Sequence, residues 1–122
     1  MIIGIGIDVV SLHRFEGLMS RQPTFLDRVL TTREQQHSDG TLRSVASLAG
    51  RFAAKEAVAK CLGAPAGLKW HDCEVLTDIS GRPQLEISGS VSDFARGLHI
   101  TRWHISITHD GGHAIAYVIA ES

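Results

Sequence analysis

Cysteine, proline and aromatic residues are scarce in this 122-residue chain, and its charges nearly cancel. A formal charge of −1 excludes the broad basic surface used in sequence-independent nucleic-acid binding, so a charged partner must meet a local patch. Only Cys61 and Cys73 are present, one inside a helical pattern and one inside a strand pattern, and both read as reduced thiols. No apolar run approaches the roughly 20 residues of a membrane span. The opening Met1–Ile7 is apolar but has no basic stretch before it, as a secretory leader would, so a cytoplasmic location is expected.

What is present is the composition of a globular domain: 43% hydrophobic residues, 20% charged residues and a mean hydropathy of +0.05. A chain this long buries roughly two-thirds of the surface its unfolded form exposes, enough for one core. A single domain over residues 1–122 is therefore expected, without internal repeats.

Residues 2–10, IIGIGIDVV, read as a buried strand whose glycines admit another backbone at close range, with Asp8 near its end. Ser11 is a candidate cap for an amphipathic helix carrying Leu12, Phe15, Leu18 and Met19. Pro23–Leu30 reads as a helical turn or two, and Thr31 with Glu34, or Thr32 with Gln35, has capping-box spacing. Ser38–Ser44 lacks an apolar period and reads as a mobile connection.

The alanine-rich stretch Ser47–Leu62 is the long central helix, with Gly63 and Pro65 as its stop. Trp70–Ile79 and Gln84–Ser88 alternate as a hairpin around Ser80–Pro83, and Trp103–His109 with His113–Ala120 as a second around Asp110–Gly112. A short helix from Ser90 or Ser92 to about Gly97 or His99 joins them. The pattern is α+β with mainly antiparallel pairing packed on a long central helix.

Glu56 and Lys60, four apart, share one helical face with Phe52, and Arg51 and Lys55 share the next. The plainest reading is a solvated charged face. Asp8 is more unusual, because a carboxylate directly after Ile5-Gly6-Ile7 needs a partner if buried. It either caps the following helix or, with Glu56, holds a magnesium ion, which takes a few protein oxygens and completes its shell with water and phosphate. A diphosphate substrate would also want cations, for which Lys60 and His109 are candidates.

A competing constellation is His104, His109 and His113 as a metal-binding module, although strand alternation sends His104 to the face opposite His109. The glycines of GIGID lack the third glycine and helix start of a dinucleotide site. Trp70 and Trp103 read as core or interface fillers.

Together, GIGIDVVSLHRF at 4–15, RFAAKEAVAKCLG at 51–63, GRP at 81–83 and HISITHD at 104–110 resemble the holo-acyl-carrier-protein synthases, short-chain 4′-phosphopantetheinyl transferases, over nearly the whole chain. The resemblance implies their compact fold and transfer of phosphopantetheine from coenzyme A to a serine of apo acyl carrier protein, in support of fatty acid biosynthesis. It implies Asp8, Glu56 and Lys60 as catalytic residues, magnesium on Asp8 and Glu56, and coenzyme A contacts from Lys60, His109, Arg51, Gly81 and Pro83. Glu56 or a metal-held water would be the base.

The resemblance further implies docking of an acidic carrier on Arg14, with Arg21 and Arg28 as weaker candidates, and a homotrimer with sites between subunits. Thr108 stands where many relatives have serine, and Ser38–Ser44 matches the family poorly. A non-catalytic domain that binds coenzyme A or the carrier is the remaining alternative.

Overall fold

The computed structural model describes residues 1–122 and follows the order β1 (Ile2–Ser11), α1 (Leu12–Arg21), α2 (Phe25–Val29), α3 (Thr32–Gln35), α4 (Val45–Cys61), β2 (Cys73–Thr77), β3 (Pro83–Ile87), α5 (Gly89–Gly97), β4 (Arg102–Asp110) and β5 (His113–Glu121). The strands form an antiparallel sheet ordered β1-β5-β4 and a separate two-stranded sheet β2-β3. The α+β class and both hairpins agree with the sequence reading. The first hairpin is shorter than its alternation implies, because Trp70–Asp72 forms a 3-10 turn. Asp72 there accepts from the Ser90 backbone and hydroxyl, which fixes the turn against the start of α5.

Small residues let α4 lie close on the large sheet. Ala53, Ala54 and Ala57 of the helix and Ala116 and Ala120 of β5 are fully buried. Gly4 and Gly6 of β1 face the carbonyls of Cys61 and Ala57, so a side chain at either glycine would collide with the helix backbone. This is the close approach that the GIGID glycines predict. Val58, Cys61, Leu62, Val75 and Val118 join these alanines in one core, with Cys73, Val91, Ala95 and Ile100. A second core lies under α1 and α2, where the rings of Phe15, Phe25 and Phe52 meet at 5.5–5.7 Å and Phe52 stacks on Trp70 at 5.4 Å.

Helix ends follow local chemistry. Ser11 caps α1 through the Arg14 amide, Thr31 and Glu34 form a reciprocal capping box, and Ser44 caps α4 through the Ser47 amide. The central helix thus begins at Val45, two residues before the predicted start. It stops where Gly63 takes a left-handed φ of 82°. The predicted mobile connection is a bonded turn, with Gln36 bridged to Leu42 and Asp39 accepting from the Thr41 amide and hydroxyl.

Two expectations are corrected. The first strand is not buried on both faces: Ile5, Ile7 and Val9 are 54%, 52% and 56% exposed, because only the Gly4-Gly6-Asp8-Val10 face meets α4. The helix face bearing Arg51 and Lys55 is not solvated. Both residues are buried, since α3 and β2 pack over that side. No helix is long and apolar enough to cross a membrane.

Candidate active site

Antiparallel register sets the rows facing α4: Asp8 lies level with Ala116 and Ile107, and Val10 with Ala114 and His109. Asp8 therefore projects from the outer strand of the sheet toward the β1 side of α4. There Lys60 Nζ donates to Asp8 Oδ1 at 3.0 Å and to the Ile7 carbonyl at 2.9 Å. Ser11 caps α1 with its own hydroxyl, which disposes of the helix-cap reading of Asp8.

Glu56, one turn before Lys60, is half-buried. Burial pushes its carboxyl above the usual range, the charge of Asp8 adds to this, and Lys60 opposes it. Two like charges thus share one corner with a single ammonium. No third histidine, cysteine, aspartate or glutamate joins them in a cluster. Two carboxylates in excess of their cation, open to water on one side, fit a hard divalent ion that completes its shell with water and phosphate.

The other candidates collect elsewhere. Arg51, Gly81, Pro83 and His109 line one cleft of about 330 Å³ together with Ser44, Ser47 and Thr77. Its floor is tight, since Gly50 sits against the Ile107 side chain. Arg51 donates to the Val75 carbonyl (3.2 Å), the Ser47 hydroxyl (2.6 Å) and the Thr77 hydroxyl (2.7 Å). All three acceptors are neutral. Burial, with Arg43 repelling it, lowers the guanidinium to about 10 against the opposing charge of Glu34, so Arg51 is still cationic at neutral pH.

Sequence reasoning missed Ser47 and Thr77 of this cleft, and Arg43, which lines a neighbouring cleft with Leu76 and Thr77. Ser47 and Thr77 lie on the predicted helix and strand but carry no motif. Arg43, in the connection that matches the family poorly, has a buried Nε without a hydrogen-bond partner. An arginine just before the Ser44 cap was the only signal.

The two groups of residues stand on opposite sides of α4. Arg51 and Glu56 are five residues apart, about 140° around the helix. One points to β2 and the other to Asp8 of β1. No cleft of this chain joins them.

Arg14 and Arg21 line a shallow groove on α1, directly after the strand bearing Asp8. Arg28 does not join them, and its guanidinium lies 5.8 Å from the Phe25 ring centre. The three histidines stay apart. His104 bonds Glu121 on the outer sheet face, His109 lines the cleft, and His113 bonds the Gly111 carbonyl at the turn. Burial raises the thiols of Cys61 to about 11 and Cys73 to about 12, which makes both unreactive.

Residues 4–118 match the 4′-phosphopantetheinyl transferase superfamily. The chain belongs to this family. A holo-[acyl-carrier-protein] synthase of Salinispora arenicola is 54% identical over 121 residues, covering 99% of each chain. The crystal structure of a holo-[acyl-carrier-protein] synthase from Neisseria meningitidis superposes with a TM-score of 0.88 at 32% identity over the full length of both chains. One from Helicobacter pylori, solved in complex with coenzyme A, gives 0.82 at 32% identity over 96% of this chain and 99% of that one. This transferase fold is thus shared over the whole chain.

Proposed function

We propose that this chain transfers the 4′-phosphopantetheine group of coenzyme A to a serine of an apo acyl carrier protein, giving holo carrier and adenosine 3′,5′-bisphosphate, and so supports fatty acid biosynthesis. The observation that carries the reading is the Asp8–Glu56 carboxylate pair beside Lys60, in a chain aligned end to end with holo-acyl-carrier-protein synthases.

Asp8 and Glu56 would hold magnesium, which when bound supplies charge neutralisation to the diphosphate. Lys60, already aimed into this corner, offers charge-assisted hydrogen bonds to phosphate oxygens and to the negative charge that builds on the leaving group. The serine Oγ attacks the β-phosphorus as the bond to the leaving nucleotide oxygen breaks. Either the Glu56 carboxylate or a water held beside it takes the serine proton. No covalent intermediate with the chain is required.

Arg51, His109, Gly81 and Pro83 form the nucleotide-binding wall, where Arg51, whose three hydrogen-bond acceptors are all neutral, offers positive charge to phosphate. Because these stand across α4 from Asp8 and Glu56, the reading places each reaction between the metal side of one copy and the nucleotide wall of another. A homotrimer is the assembly proposed. The exposed outer sheet face, with its rows Ile5–Ile119–His104, Ile7–Tyr117–Ser106 and Val9–Ile115–Thr108, supplies an apolar surface for it. Arg14 and Arg21, near the metal side, would receive the acidic carrier.

The direct test incubates the chain with coenzyme A, magnesium and apo carrier and weighs the carrier by intact-mass spectrometry. A gain of one phosphopantetheine group, absent from a carrier lacking its serine, is expected. Nucleotide binding with no mass gain on any carrier would instead indicate a non-catalytic binding domain.

A further inference from the structure

The buried ion pair Glu34–Lys55 plays no part in the chemistry above, yet it is the only ion pair of the chain buried on both sides. Its side chains are 0% and 1% exposed. Removing two charges from water is costly, and an apolar pair of similar size would serve stability as well or better. Its geometry indicates what else it does. Glu34 Oε1 accepts from Lys55 Nζ at 2.6 Å and from the Thr31 amide at 2.9 Å, while Oε2 accepts from the Val75 amide at 2.8 Å. The Val75 carbonyl accepts from Arg51 Nε. One residue of β2, Val75, is therefore held at both its amide and its carbonyl by side chains anchored in α3 and α4.

This matters because β2 and β3 share no hydrogen-bonded strand with the large sheet. A lone two-stranded hairpin is marginal by itself. It nonetheless carries Thr77 and Pro83, with Gly81 in its turn, which form one wall of the cleft, while Ser47 and Arg51 of α4 form the other. The distance between those walls depends on what ties β2 to α4.

We propose that Glu34 and Lys55 are positioning residues for the nucleotide cleft, locking the β2–β3 hairpin to α4 through the Val75 amide so that Thr77, Gly81 and Pro83 face Arg51 and His109 at a fixed spacing. The inference rests on the transferase reading. It assigns the pair no contact with substrate and no influence on Asp8, Glu56 or the carrier surface, which lie across α4.

The test compares wild type with Glu34→Leu/Lys55→Met, which removes both charges at similar volume and frees the Val75 amide. Calorimetry with adenosine 3′,5′-bisphosphate should show binding about tenfold weaker, and the KM for coenzyme A should rise in proportion. The kcat and the KM for the carrier should stay within about threefold. A folded double variant with unchanged nucleotide affinity, or one in which both KM values rise and kcat falls together, overturns the proposal. Should the double variant not fold, amide exchange in the wild type decides. The Val75 amide, on a strand edge with no neighbouring strand, should exchange as slowly as core amides of β5 and faster in Glu34→Gln; rapid exchange in the wild type contradicts the lock. Failure of wild type itself to bind the nucleotide would instead remove the transferase reading on which the inference stands.

Discussion

At Glu56 the physical demands of function and stability oppose one another. Its folded-state proton affinity is raised by burial and by Asp8, so its contribution to stability is fully present below the ordinary glutamate range and is lost as pH rises through the raised value. Metal-free Glu56→Gln should therefore melt above wild type at neutral pH, with the difference vanishing in acid, while its turnover is abolished; scanning calorimetry across pH checks the sign. Lys60→Met, which leaves Asp8 without its 3.0 Å partner, should lower kcat by about 100-fold, the scale of losing one charge-stabilising donor, in single-turnover kinetics. Gly6→Ala should cost about 3 kcal/mol in denaturant unfolding, the upper end of the overpacking range, because its methyl meets the Ala57 carbonyl and a backbone must shift. Asp8 and Gly6 were legible in the sequence, since a carboxylate and glycines are out of place in a β-branched strand. Glu34 was legible only as half of a capping box, because its other partners lie 21 and 41 residues away.

Among the elements, α4 divides the molecule. Its alanine period, its stop at Gly63 and its length were readable from local rules. The burial of Arg51 and Lys55 was not, because the groups that cover them arrive from α3 and β2 and no local pattern records that packing. The same limit explains β1, where the run of Ile and Val signals a strand but not which face meets α4. The α1 surface carries its own prediction. Arg14→Glu should raise the carrier KM about tenfold at low salt and leave the KM for coenzyme A unchanged, with the difference shrinking as ionic strength approaches about 0.5 M. Arg28→Glu should have little effect, since Arg28 stands against Phe25 and outside the Arg14–Arg21 groove.

For the molecule as a whole, the sequence placed Asp8, Glu56, Lys60, Arg51 and His109 in one reaction, and the fold separates them across a helix. In the proposed assembly, association through the outer sheet face, where Tyr117 is 41% exposed amid isoleucines, would bring the two halves together. Tyr117→Arg should yield monomers by sedimentation and abolish turnover while each chain stays folded. The most direct measurement co-expresses two inactive variants, Glu56→Gln and Arg51→Gln, and follows phosphopantetheine transfer by carrier mass. Sites built from two copies predict that the mixture regains about a quarter of wild-type activity, the statistical share of interfaces that pair an intact metal side with an intact nucleotide wall. A mixture of folded, associated chains no more active than either variant alone would contradict the shared site.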